Sequence, residues 1–276
     1  MNITKREKNG VVYFTFPIFD QYDLVHGFST KTGGVSEGEF ASMNLSFNRN
    51  DERERVLENH RRFAEAVGYE TEHLVLSDQI HETKVVKVTR DDCGKGIYRD
   101  SDLKGVDGLM TQDEKVALMT FYADCVPLFF YDPVQKVVAS SHSGWRGTVA
   151  KMGAVTVRRM GEVYGCRPED IIAVVGPSIC QDCYEVSEDV VDEFAKCFPA
   201  EQMKEIAIAK EDHKYQLDLW RANEWILREA GIKQEHLQVS GMCTCCHHDL
   251  LFSHRYTKGR RGNLAGVITL SPKSES

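Results

Sequence analysis

Residues 121–145, FYADCVPLFFYDPVQKVVASSHSGW, constrain this chain more than any other stretch. Two apolar runs, VPLFFYD and VVASSH, flank the turn sequence DPVQK, in which Pro133 suits an early turn position. Their length and their β-branched and aromatic content predict a β-hairpin. If Asp132 pairs beside Val137, the antiparallel register sets His142 across from Pro127 and brings its imidazole close to the Cys125 thiol. The hairpin thus dictates both a piece of sheet and a chemical juxtaposition.

The rest of the chain supplies partners for that hairpin. β-type runs occupy Val11 to Phe16 and Asp23 to Ser29, then LVLSDQ, KVVKV and VALMTF before the hairpin, and IIAVVG and LAGVITL after it. DERERVLENHRRFAEAVG predicts a helix with Asp51 as its N-cap, Val56, Phe63 and Val67 on one face, and Gly68 as its stop. Further helices are expected over residues 147–165, in SEDVVDEFAKCF, and in LDLWRANEWILREA, which Gly231 ends. In the last of these, Trp220 and Trp225 are expected to pack and not to do chemistry. Strands cluster in the middle with helices inserted between only some of them, so the fold class is α+β and not a doubly wound sheet. KTGGVSEGEF is a loop without the spacing of either a dinucleotide-binding or a P-loop fingerprint.

A chain of 276 residues could form one large domain or two small ones, and it has no internal repeat, low-complexity linker or break in composition. A net charge of −8 opposes a nucleic-acid surface, because phosphate contacts need basic stripes. The N-terminal sequence has no apolar core of signal-peptide length, and no run approaches a membrane span; a cytoplasmic location away from any membrane is the expectation. An odd count of nine cysteines without an export signal favours free thiols over a disulfide framework.

A neighbouring Cys and His can be a nucleophile with its base, two metal ligands, or two satisfied core residues. His81, between the end of one strand and the start of the next, can reach the same end of the sheet. Two imidazoles and a thiolate suit Zn²⁺ with a fourth position left open, but the sequence separations are too long to form a local metal motif.

Taken together, HGFSTKTGGVSEGEFASMNLSF, SDQIHETKVVKV, VDGLMT, ADCVPLFFYDP, HSGWRGT, GPSIC, YEV and LLFSHRYTKGRRGNLAGVITL resemble the laccase-domain family, also called polyphenol-oxidase or YfiH/YlmD-type proteins. The matches run in order from about residue 25 to the C-terminus. The resemblance implies a single domain over residues 1–276, with mixed β-sheets packed as a sandwich and flanked by helices. It also implies a zinc-dependent purine nucleoside enzyme that cleaves adenosine, inosine or methylthioadenosine with phosphate and deaminates adenosine. Its metal ligands fall on His81, Cys125 and His142, which are then the catalytic set, and Asn44 in SMNL falls in the ligand pocket, the alternative for Asn44 being a plain turn residue. The implied partners are purine nucleosides and phosphate, with a homodimer compatible.

Within that reading Arg146 is the first choice for gripping phosphate, since a guanidinium offers two parallel hydrogen bonds; the bland alternative is a surface salt bridge. Asp124, beside Cys125, either supports the ligand or caps its turn. The chain departs from the family where ENHRRF places His60 in a position usually held by arginine, so that Arg61 would have to substitute, and where Glu82 replaces a glycine after the QxH histidine. Arg255 and Arg261, in the basic stretch SHRYTKGRRGN, complete the pocket, contact a second subunit, or form a solvated loop. CTCCHH at 243–248, with Cys180 and Cys183, has structural-zinc spacing; packing or incidental thiols in Cys180, Cys183, Cys243, Cys245 and Cys246 are the favoured reading over a second metal. Copper-dependent phenol oxidation is a competing activity, although three ligands do not make the mononuclear and trinuclear sets of a multicopper oxidase. A cysteine hydrolase using Cys125 and His142, on a cell-wall precursor for example, and a non-catalytic metal- or nucleotide-binding role are the others.

Overall fold

The strand Val126–Asp132 is buried along its whole length, and its alternation sends side chains into two different cores. Val126, Leu128 and Phe130 meet a helical layer through Val157, Met160, Ile226 and Leu227. Phe129 and Tyr131 point the other way, toward Phe28, Leu118 and Ile268 of a second sheet and Phe16 just beyond one of its strands. A strand covered on both faces reads as a continuous apolar run, which is why this segment dominates the sequence. The hairpin register is as expected: Asp132 pairs with Val137 and Pro127 with His142.

The computed structural model describes residues 1–271. One six-stranded sheet has the spatial order Thr4–Lys8, Val11–Thr15, Leu24–Ser29, Leu264–Leu270, Ala117–Tyr122, Leu74–Leu76. The other has the order Leu237–Val239, Ile172–Val175, Val126–Asp132, Val137–Ser143, Gly108–Thr111, Val85–Lys87. Both are mixed: Leu74–Leu76, Val85–Lys87 and Leu237–Val239 each pair in parallel with a neighbour, and the other pairs are antiparallel. The sheets pack face to face; the helix Arg53–Val67 covers the outer face of the first through Phe63 and Ala66, and helices Met152–Tyr164 and Leu219–Glu229 cover the second. The fold is therefore an α+β sandwich flanked by helices. A small three-stranded sheet, built from Glu185–Ser187, Lys214–Leu217 and Ala207–Ala209, stands apart from both.

Several boundaries differ from expectation for identifiable reasons. The helix expected over 147–165 is two, Trp145–Val149 and Met152–Tyr164, separated by Lys151 in the left-handed region at φ 57°. The first long helix is capped by Glu52 and not Asp51, because the Asp51 carboxylate is used elsewhere: it accepts hydrogen bonds from Ser36 Oγ at 2.7 Å and Asn44 Nδ2 at 2.9 Å. Gly68 ends that helix at φ 101° as the sequence predicts. Trp220 and Trp225 are packing residues, partly buried against the helical core, with Trp220 Nε1 donating to Ser178 Oγ at 2.6 Å.

Candidate metal centre

Three segments bring His81, Cys125 and His142 together. Cys125 stands at the start of the strand Val126–Asp132, His142 near the end of its hairpin partner, and His81 on the loop after Leu74–Leu76. Their donor atoms lie within 4.8 Å of one another, with Cys125 Sγ 3.9 Å from His81 Nε2. The two imidazoles meet edge to face at 4.8 Å between ring centres. Gly144 makes this convergence possible by its size: a Cβ there would lie 3.1 Å from both Cys125 Sγ and His81 Cδ2.

Asp107 organises the cluster. Its carboxylate accepts the backbone N–H groups of Ile80, His81 and Glu82 at 3.0, 3.1 and 3.0 Å, holding His81 at φ 66°, a left-handed conformation that needs such support. The same carboxylate receives His142 Nδ1–H at 2.8 Å, which directs Nε2 of that ring toward Cys125 and His81. Asp107 is fully buried, and burial opposes its charge; the hydrogen bonds from His142 and the Ile80 amide outweigh that cost and hold its carboxyl below the ordinary range. Burial likewise pushes the Cys125 thiol up, but the charge and hydrogen bonds of His142 and His81 reverse the shift and lower it. A thiolate between two imidazoles, one fixed by a carboxylate, could hold a metal ion through three protein ligands with outer support from Asp107.

The three donors open onto a cavity of about 300 Å³. Arg49 and Arg261 line it, and neither guanidinium forms an ion pair among the described residues. Arg261 is 7% exposed, and its Nε has no hydrogen-bond partner. Burial and then the Arg49 charge pull its pKa down to about 10, so it remains a cation at neutral pH. Both guanidinia hydrogen-bond to Asn263 Oδ1. Two cations held side by side, with no carboxylate ion-paired to either among the described residues, leave a concentrated positive field in the cavity.

Other expected site residues fall elsewhere. Asn44 is buried and does not line the cavity; its amide serves the protein, donating to Ser46 O and Asp51 Oδ2 and accepting from the Ser46 and Asn263 N–H groups. Arg61 does not replace the family arginine: one position beyond the buried His60, it points to solvent and pairs with Glu58 at 2.7 Å and Glu65 at 3.2 Å. Arg146 is exposed and stacks over Trp145, 4.3 Å from the ring centre, outside the cavity lining. Asp124, at φ 82°, accepts Thr244 Oγ1 at 2.6 Å and the Arg255 N–H at 2.7 Å, so it ties loops together beside Cys125. The Arg255 side chain bonds Glu185 O and covers Tyr184, away from the cavity. Asp107 and Arg49 were not singled out from sequence; the Asp-Gly step in VDGLMT, placed before a buried strand, was the available signal for the first.

Comparison with known proteins agrees with this architecture. Residues 25–271 match the family described as Multi-copper polyphenol oxidoreductase laccase. Purine nucleoside phosphorylase YlmD of Bacillus subtilis is 38% identical over 247 residues, covering 89% of this chain and 88% of the relative. A purine nucleoside phosphorylase of Bacteroides thetaiotaomicron is 35% identical, covering 89% and 92%. The crystal structure of YlmD from Geobacillus stearothermophilus superposes with a TM-score of 0.91 at 35% identity, covering 99% of this chain and all of that one. With a family match spanning most of the sequence and this fold shared throughout, the chain belongs to the laccase-like YfiH/YlmD family.

Proposed function

We propose that this protein cleaves purine nucleosides with phosphate, at a zinc centre held by His81, Cys125 and His142. Adenosine, inosine and methylthioadenosine are the substrates and adenosine deamination is a second activity, with Cys125, His142 and His81 as the catalytic set. The observation that carries the reading is the pairing of that donor set with the two uncompensated guanidinia of Arg49 and Arg261 in one cavity. The relatives named purine nucleoside phosphorylase support it. A zinc ion held by these residues would supply an electrophilic centre with one coordination position open for exchange.

The protein's own contribution is positioning and charge. Arg49 and Arg261 bind the phosphate dianion and hold one oxygen toward C1′ of the ribose, converting an encounter of two solutes into a pre-oriented pair. As the O–C1′ bond forms, the C1′–N9 bond breaks and its electron pair leaves with the purine. Asp107 keeps the His142 ring in one tautomer and one orientation throughout. The anion grip assigned from sequence to Arg146 thus passes to Arg49 and Arg261, which face the cavity. Copper-dependent phenol oxidation fits less well, because this cavity presents two imidazoles and one thiolate, far short of the several histidines that mononuclear and trinuclear copper sets require.

The test is a product assay on metal-quantified protein incubated with adenosine, with and without phosphate. Adenine formed only with phosphate and in proportion to zinc content establishes phosphorolysis; inosine formed without phosphate establishes the deaminase activity. Chelation abolishes both and zinc restores them, whereas a Cys125 thiol nucleophile would survive chelation. Zinc-loaded protein that yields neither product overturns the proposal.

A further inference from the structure

Away from the cavity, the structure gathers four more cysteines. Cys180 and Cys183 lie on the loop after the strand Ile172–Val175, and Cys243 and Cys246 on the turn after Leu237–Val239. Both pairs have the C-x-x-C spacing, and the two parallel strands that precede them deliver the two turns side by side. Two backbone hydrogen bonds lock them in place, the Ser178 N–H donating to Met242 O at 3.1 Å and the Thr244 N–H to Ser178 O at 3.1 Å, which together make a parallel β-bridge between Ser178 and Cys243. The four Sγ atoms lie within 4.8 Å of one another, with Cys180 to Cys246 at 3.8 Å and Cys183 to Cys246 at 3.5 Å.

These separations discriminate between the uses of four thiols. A disulfide holds its sulfurs about 2 Å apart, so no pair here is bridged. In a tetrahedral site with Zn–S bonds near 2.3 Å, the edges of the sulfur tetrahedron are about 3.8 Å, within the range seen here. A cubane iron–sulfur cluster stands between its thiolates and spreads them further, which leaves room in this group for a single ion only. The backbone also prepares for negative sulfur: the N–H groups of Cys180 and Cys246 both donate to Cys243 Sγ at 3.3 Å. Cys245, although inside the same CTCC run, is not one of the four.

We propose that Cys180, Cys183, Cys243 and Cys246 form a second, structural metal site that binds one zinc-class divalent ion as a tetrathiolate. Binding releases the four thiol protons and forms four metal–sulfur bonds, with no redox change. The ion fastens together two loops that back the first centre: Thr244 Oγ1 and the Ile179 N–H both bond Asp124, whose neighbour is Cys125. It closes all four coordination positions with protein, so it holds shape and does not turn over substrate. The proposal departs from the packing reading for these four cysteines, leaves Cys245 to it, and does not rest on the nucleoside activity.

Metal analysis of the full chain tests the proposal. Wild type is expected to hold two zinc ions per chain, the double variant His81→Ala/His142→Ala one, and Cys183→Ser/Cys246→Ser one. In the His81→Ala/His142→Ala protein reconstituted with Co²⁺, the tetrathiolate gives strong sulfur-to-cobalt charge transfer and the visible bands of a tetrahedral ion. Four thiols in that protein are shielded from a thiol reagent until a chelator is added. If it instead binds neither zinc nor cobalt and its thiols react at once, or if Cys183 and Cys246 are found joined in a disulfide, the proposal is overturned. One ion in His81→Ala/His142→Ala and none in Cys183→Ser/Cys246→Ser would keep the tetrathiolate site and remove the zinc centre under Proposed function. The two readings therefore fail separately.

Discussion

Asp107 carries two duties with one carboxylate, and the geometry predicts what happens when they are separated. In Asp107→Asn the side-chain oxygen still accepts His142 Nδ1–H, but the amide group that replaces the second oxygen cannot accept from Ile80 or Glu82. The His81 turn, at φ 66°, then keeps only the His81 N–H bond to the remaining oxygen and loses the other two that held it. Loss of such outer partners typically lowers metal affinity roughly 10- to 100-fold, and that is the expected effect, read by competition with a chromophoric chelator on the isolated first centre. Unchanged affinity would show that His81 holds its conformation without Asp107. His81, Cys125 and His142 were legible from sequence because a hairpin of fixed register and a matching motif set converge on them. Asp107 was not, since its partners lie 35 and about 26 positions away and meet it only in the assembled sheet. Arg61 was misplaced for a simple geometric reason: on a helix, the residue after an inward one is turned by about 100° and faces water.

Among the elements, the two sheets approach closely at Gly266 of the strand Leu264–Leu270. A Cβ at that position would lie 2.3 Å from the Phe129 ring, so the ring of the neighbouring sheet packs directly on backbone. Phe129 is fully buried and also touches Phe16, with ring centres 5.4 Å apart, so it has little freedom to retreat. Gly266→Ala is therefore an overpacking change across the sandwich, expected to cost about 1–3 kcal/mol in urea unfolding without altering metal content. A change below about 0.5 kcal/mol would mean that the sheets can part at that point. Phe129→Leu in the same background should recover part of the loss by vacating the contact. Elements such as these were readable where the pattern was long and two-faced, as in VPLFFYD. The helix break at Lys151 was not, because no proline stands there to forbid continuation; Lys151 takes φ 57° between Trp145–Val149 and Met152–Tyr164 without any signal in the local sequence.

At the scale of the whole molecule, two histidines buried in its first half couple folding to pH. His60, fully buried, donates Nε2–H to Leu45 O at 2.7 Å and stacks on Phe47. His26, also buried, does the reverse, its Nε2 accepting the Phe16 N–H at 2.9 Å. Burial is the main cause that lowers both to about 4, partly offset by the Leu45 bond for His60 and by Asp20 for His26. The unfolded chain takes up these protons near pH 6.5, whereas the folded chain resists until about pH 4. Between those values the unfolded state binds more protons, so the stability contributed by the neutral rings is complete above about pH 6.5 and is lost as the pH falls toward 4. From pH 7 to pH 5 the loss amounts to about 2 kcal/mol per histidine. A variant with His26→Gln and His60→Gln keeps an acceptor for Phe16 and a donor for Leu45 but removes both titrations. Its unfolding free energy is therefore expected to fall less steeply over that interval than that of wild type, each measured by urea titration with the same metal content. Equal slopes would place the acid sensitivity of the fold on its carboxylates and metal ligands instead, since those groups remain in both proteins.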